Sequence, residues 1–206
     1  MNNKIIILAL LSVFFSYQTV WAQTTSNPDS VCTGSTEYYK ITNPTTGSQF
    51  NWGIKGNGGT IVSGQNTNQI NVQWVNTTGS DTLWVVETNL GGCKGDTSKL
   101  TVKRYARPTA TISGGATLCN VNNGSAVTFT LTGIAPFVIT YKKNGITQTQ
   151  AVASGNVFVV PATSLTITTV YELVSIKDKL GCDNPATGTS TITVLPALRT
   201  LQIIHK

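Results

Sequence analysis

The sequence predicts an all-β protein: two tandem β-sandwiches, each closed by one disulfide, behind a secretory leader. Three observations predict it. The 206 residues hold 34 Thr and 17 Asn but only 11% charged residues. That composition suits strands joined by polar turns and lacks the Glu, Lys and Leu richness of helical bundles. Short alternating apolar runs recur along the chain, with no sustained helical periodicity. Four Cys stand in two pairs of near-equal spacing, Cys32 to Cys93 and Cys119 to Cys182.

The leader comes first. Lys4 precedes an apolar run from Ile5 to Phe15, and Val20-Trp21-Ala22 follows with residues a signal peptidase tolerates. Residues 1–22 are therefore expected to be a signal peptide cleaved after Ala22. A membrane anchor needs about 20 apolar residues, whereas this run is broken by Ser16, Tyr17 and Gln18. No later run is long enough to span a membrane. The expected location is outside the cytoplasm: periplasmic, outer-membrane-associated, or at the cell surface or secreted.

Export implies an oxidising compartment, where an even Cys count suggests disulfides. Four Cys allow three connectivities. Cys32 and Cys93 are 61 residues apart, and Cys119 and Cys182 are 63 apart. Asn89-Leu90-Gly91-Gly92-Cys93 resembles Asp178-Lys179-Leu180-Gly181-Cys182. This spacing predicts a duplication with Cys32–Cys93 and Cys119–Cys182 as one bridge per domain. Each closed loop would contribute roughly 4 kcal/mol in the chain-entropy model. A zinc site is disfavoured, because there is no Cys-x-x-Cys pair and His205 is the only His.

The strands follow in order. In the first half they are expected at Glu37–Ile41, Phe50–Ile54, Thr60–Ser63, Gln69–Val75, Thr82–Thr88 and Leu100–Tyr105. In the second half they are expected at Thr109–Ile112, Val127–Leu131, Phe137–Tyr141, Gln148–Val152, Val157–Val160, Thr166–Ile176 and Ser190–Leu195. About seven short strands per half, with turn signals every 8 to 12 residues, describe an Ig-like sandwich. The expected domains are residues 23–106 and 107–195, with a tail at 196–206. Pro108 stiffens a short junction.

No constellation points to catalysis. The acids Asp81, Glu87, Asp96, Asp178 and Asp183 are scattered, and His205 is the penultimate residue. No Ser-His-Asp set, phosphate-binding glycine loop, metal site or cofactor site can be assembled. Candidate partner-binding residues are Lys99, Lys103, Arg104 and Arg107 around the junction, and Ile203 and Ile204 in the tail, which could add a strand to a partner's sheet edge. Trp74 and Trp84 are candidate glycan contacts if exposed, while Trp52 is expected in the core. A net charge of +6 is weakly concentrated, which with export argues against nucleic acid.

These motifs together resemble the PKD-like and Ig-like repeats of Bacteroidota cell-surface proteins. In the first half the resemblance lies in Cys32-Thr33-Gly34, Phe50-Asn51-Trp52, Gly59-Thr60-Ile61-Val62-Ser63-Gly64, Ile70-Asn71-Val72-Gln73-Trp74 and Asn89 through Gly95. In the second it lies in Pro108 through Gly114, Gly133 through Pro136, Tyr171 through Asp178 and Leu180-Gly181-Cys182. Trp52-Gly53-Ile54 lacks the acidic residues of the PKD signature. The resemblance implies a non-catalytic binding or adhesion module, or an accessory of gliding motility or type IX secretion. It implies an envelope protein, surface glycan or outer-membrane barrel as partner. The alternative is a carbohydrate-binding protein that uses exposed Trp.

Overall fold

The computed structural model describes residues 29–119, 125–152 and 154–196. Residues 1–22, the expected signal peptide, and the tail residues Ile203 and Ile204 lie outside the described residues. The first sandwich contains β1 (Asp29–Cys32), β2 (Thr36–Lys40), β3 (Gln49–Lys55), β4 (Gly59–Ser63), β5 (Gln69–Trp74), β6 (Gly79–Thr88) and β7 (Ser98–Tyr105). One sheet has the order β1-β7-β6-β3 and the other β2-β5-β4. The second contains β8 (Thr109–Gly114), β9 (Ala116–Leu118), β10 (Ser125–Thr132), β11 (Phe137–Lys143), β12 (Ile146–Val152), β13 (Val157–Ala162), β14 (Thr169–Lys177), β15 (Asp183–Pro185) and β16 (Thr189–Val194). Its sheets run β13-β10-β8 and β12-β11-β14-β16-β9, with β15 paired to β14. The chain is thus an all-β protein of two Ig-like sandwiches.

Alternation places each core. On β5, Ile70, Val72 and Trp74 turn inward against Phe50, Trp52, Leu83, Val85 and Val102. In the second core, Val127, Phe129 and Leu131 of β10 face Phe137, Ile139 and Tyr141 of β11 and Tyr171 and Leu173 of β14. Each large apolar side chain buried this way contributes roughly 1.5–3 kcal/mol. The two clusters share no residue. Asn144 and Gly145 both take positive φ at the β11–β12 hairpin, the conformation that a two-residue turn needs to match strand twist.

Two short strands that alternation could not reveal set the connectivity. β1 runs parallel to β7, from Asp29 beside Val102 to Cys32 beside Tyr105. β9 runs parallel to β16, from Ala116 beside Ile192 to Leu118 beside Val194. Cys32 therefore lies at the end of the first sandwich that leads into the second. Cys93 lies in the β6–β7 hairpin, at the opposite end. Seven residues of extended β7 separate the two levels, roughly 23 Å at the usual rise. A disulfide needs Cα atoms within about 7 Å.

This geometry corrects the expected one bridge per domain. Cys32 is bonded to Cys182, across the two sandwiches, with Cα atoms 5.5 Å apart and 150 residues between them in sequence. Cys93 and Cys119 are both free and exposed. Equal spacing within each half is what a duplication produces in any case, so it carries no information about pairing. In the chain-entropy model a loop this long is worth about 5 kcal/mol against the unfolded chain.

A buried ion pair ties the first sandwich together. Asp81 on β6 and Arg104 on β7 are in direct contact, and both are buried. Asp81 Oδ1 accepts from the Gly58 amide at 3.0 Å, and Arg104 Nε donates to the Thr77 carbonyl at 2.9 Å. The guanidinium lies 6.0 Å from the Trp74 ring centroid. Gly58 is required here, because a Cβ would collide with both Arg104 and Asp81.

Replacing Asp81 with Ala should lower the stability of the first sandwich by about 3–5 kcal/mol, because Arg104 is left buried and unpaired. Asp183→Ala, which removes an exposed partner of Arg107, should cost under about 1 kcal/mol. Urea unfolding monitored by Trp fluorescence, which reports the first sandwich through Trp52, Trp74 and Trp84, and by far-UV circular dichroism, which reports both sandwiches, reads the two variants; equal effects would contradict this account of the core.

Candidate functional site

The sequence candidates separate once the strands are in place. On β7, Lys99 and Lys103 share the outward face, whereas Arg104 points inward. Arg104, only 7% exposed, is therefore withdrawn as a surface contact: it is committed to Asp81. Lys103 is exposed with its Nζ 5.0 Å from the Tyr105 ring centroid. Lys99 sits toward the far end of β7, directly across from Trp84 on β6. Arg107 is in the joint between the sandwiches. A run of basic residues in sequence is thus divided in space among the outward face of β7, the core and the joint.

The Trp candidates also divide. Trp74 is 1% exposed and so offers no face to a sugar, which withdraws it as a glycan contact. Its Nε1 donates to the Tyr39 hydroxyl at 3.2 Å, and that hydroxyl donates to Asp29 Oδ2 at 3.1 Å. Burial, followed by the nearby Asp29 carboxylate, pushes the Tyr39 phenol well above its ordinary range, so it stays neutral and able to donate. Trp52 is in the core, and its Nε1 donates to the Thr67 carbonyl at 2.8 Å. Trp84 is half-buried and lies over Gly53, where a Cβ would strike the indole. It borders a cleft of about 190 Å³ with Tyr39, Ile41, Trp52, Lys99 and Leu100 among its walls. Ligand pockets usually start near 300 Å³, so this opening suits a single small group.

The joint is the most constructed feature. Cys32, at the end of β1, bonds Cys182 in the hairpin between β14 and β15. Cys182 is 0% exposed. Asp178 shapes that hairpin: its Oδ1 accepts from the amides of Leu180 at 3.0 Å and Cys182 at 3.1 Å. Arg107 reaches both sandwiches at once. Its Nε donates to the Thr33 carbonyl at 3.0 Å, and its Nη1 donates to the Asp183 carbonyl at 2.7 Å and to Asp183 Oδ1 at 3.3 Å. Asn184 Nδ2 donates to the Pro108 carbonyl at 3.0 Å. Thr33 in turn donates its amide to the Tyr105 carbonyl at 2.8 Å. One covalent bond and a fork of hydrogen bonds therefore oppose bending at this point. Arg107 was singled out in the sequence as a contact for an external partner; it is placed here between two parts of its own chain. The Cys32–Cys182 pairing left no sequence signal beyond the offset of 87 and 89 residues between equivalent Cys, because it depends on which end of each sandwich a cysteine occupies.

Among the described residues, no group of three His, Cys, Asp or Glu could hold a metal ion. Among them, too, no helix is long and apolar enough to cross a membrane.

Comparison with known proteins follows the same lines. Residues 18–102 match the model of the PKD-like domain. An I-band fragment of titin aligns at 12% identity over 82% of this chain and 63% of that one, with a TM-score of 0.49. Fibronectin(III)-like modules of Clostridium thermocellum CbhA align at 13% identity over 86% and 95%, with a TM-score of 0.42. The Yersinia pseudotuberculosis adhesin InvE aligns at 15% identity over 80% and 56%, with a TM-score of 0.29. The chain spans 63% of the titin fragment's length. No curated protein matches the sequence. The fold class rests on the chain's own strand order rather than on these distant likenesses. The chain is a β-sandwich protein whose first sandwich is similar to the PKD-like domain.

Peptide mapping of the monomeric chain without reductant should recover Cys32 joined to Cys182, with Cys93 and Cys119 alkylated by a thiol reagent applied before unfolding. A Cys32–Cys93 peptide would contradict the joint.

Proposed function

We propose that this chain is an exported envelope protein whose two modules form a stiffened binding or adhesion element. The observation that carries the reading is the Cys32–Cys182 bond across the joint. A disulfide of this kind persists in oxidising compartments and is rare in the cytosol, in keeping with the leader pattern in residues 1–22. The proposed modules are residues 23–106 and 107–195, followed by the tail at 196–206. A crosslink between modules, reinforced by Arg107, holds two surfaces in one relative orientation. That is useful to a protein that spaces or presents a contact surface.

The finer reading is an accessory or adhesion module of gliding or type IX secretion machinery, with an envelope protein, such as an outer-membrane barrel, or a surface glycan as partner. Its support is the motif resemblance and the PKD-like match over residues 18–102. Of the proposed contacts, Lys99 and Lys103 offer exposed positive charge on the outward face of β7, and Ile203 and Ile204 are an apolar pair in the tail sequence. A carbohydrate-binding reading now depends on Trp84 and its small cleft alone.

In the source cell, the protein should fractionate with the envelope or medium and lack residues 1–22. Deleting its gene should impair surface attachment or movement, and Cys32→Ser should rescue less fully than the wild-type chain. Recovery of the uncleaved protein in the cytosol would overturn the reading. Small-angle scattering of the purified chain should show a broader distance distribution after reduction, because the joint then bends.

A further inference from the structure

The joint uses one cysteine of each type, and the molecule has one of each left over. Cys32 closes the short strand β1, parallel to the last strand of its sandwich. Cys119 directly follows the short strand β9, parallel to the last strand of the second sandwich. The two are equivalent positions. Cys93 and Cys182 are equivalent in the same way. The Asn89 amide donates to the Cys93 carbonyl at 3.0 Å, and Asn89 Oδ1 accepts from the Cys93 amide at 2.9 Å. The Asp178 amide donates to the Cys182 carbonyl at 3.0 Å, and Asp178 Oδ1 accepts from the Cys182 amide at 3.1 Å. Gly92 and Gly181 precede the cysteines with φ of 79° and 82°.

The two free thiols occupy opposite ends of the molecule. β7 runs from the Cys93 hairpin toward the joint, and β14 runs toward the joint from the end where β9 and β16 finish. Two strand lengths, roughly 50 Å, separate Cys93 from Cys119, far beyond the reach of an internal disulfide. Beside Cys93 stands Leu90, 85% exposed, whose counterpart in the occupied hairpin is Lys179. Its amide donates to the Ile134 carbonyl of the second sandwich at 3.0 Å.

We propose that Cys119 of one copy bonds Cys93 of the next, repeating between copies the staple that Cys32 and Cys182 form within one. The observed Cys32–Cys182 bond is the direct precedent, since it joins the same two positions in the same order along the chain. The contact is heterologous, head to tail, so it propagates rather than closing as a two-fold dimer. In the bond-forming step each thiol gives up its proton and one electron as the Sγ–Sγ bond forms. A small-molecule or enzyme-borne disulfide accepts both electrons and both protons and leaves as two thiols. The inference is independent of the envelope reading and concerns only how copies of this chain meet.

The test uses the purified full chain with Cys32–Cys182 intact, in a glutathione redox buffer, with Cys93→Ser and Cys119→Ser variants. Both substitutions are at exposed positions, and circular dichroism confirms folding. Wild type should give a ladder of disulfide-linked species on a non-reducing gel. Each variant alone should stay monomeric. Their equimolar mixture should give a single dimer band, at least tenfold above either variant alone, containing a Cys93–Cys119 peptide. With one variant isotopically labelled, that peptide must carry one labelled and one unlabelled half. Absence of dimer in the mixture, or same-residue dimers in comparable yield from each variant alone, would overturn the proposal.

Discussion

The parallel pairing of β1 along β7 is the constraint from which the joint follows. A strand that pairs parallel with the last strand must finish where that strand finishes, at the exit of the sandwich. Cys32 is therefore delivered to the boundary with the second sandwich, beside Tyr105. The hairpin that precedes β15 comes back to the same boundary from the other side and presents Cys182. Arg107 braces the same boundary, donating to the carbonyls of Thr33 and Asp183, the residues that follow Cys32 and Cys182 in sequence. The same constraint acts on β9 and β16, which is why the second sandwich ends on Cys119.

The interior of the first sandwich depends on a second, more costly arrangement. Placing Asp81 and Arg104 in a largely apolar core is unfavourable unless each is paired and hydrogen-bonded. The structure meets that requirement with the Gly58 amide, the Thr77 carbonyl and the face of Trp74. A second polar chain, from Trp74 through Tyr39 to Asp29, ties β5 and β2 to the start of β1. The strand that carries Cys32 is thus anchored at both ends, by Tyr39 at its start and by the disulfide at its finish.

These features separate surface from scaffold in a way that bears on binding. Charge on β7 is divided by the pleat: Lys99 and Lys103 face solvent, and Arg104 faces the core. The aromatic candidates are divided similarly, with Trp52 and Trp74 inside and Trp84 covering Gly53. Exposed apolar side chains stand on other strands as well, among them Tyr38 on β2, Val138 on β11, Val157 and Val159 on β13 and Val170 on β14.

The sequence by itself determined the class and most of the strands, because period-two alternation is local and survives without tertiary context. Ile70, Val72 and Trp74, or Val127, Phe129 and Leu131, declare an inward face on their own. It also disclosed the duplication, through the matched surroundings of Cys93 and Cys182. It did not disclose β1 or β9, which are too short to show a pattern and exist only by pairing with strands more than 60 residues away. Only the tertiary structure decided the disulfide, because pairing requires two cysteines at the same end of adjoining sandwiches, and spacing along the chain is silent about ends. It likewise decided the roles of Arg104, Arg107 and Trp74, since a residue's type is written in the sequence but the face and neighbour it meets are set by how the sheets stack.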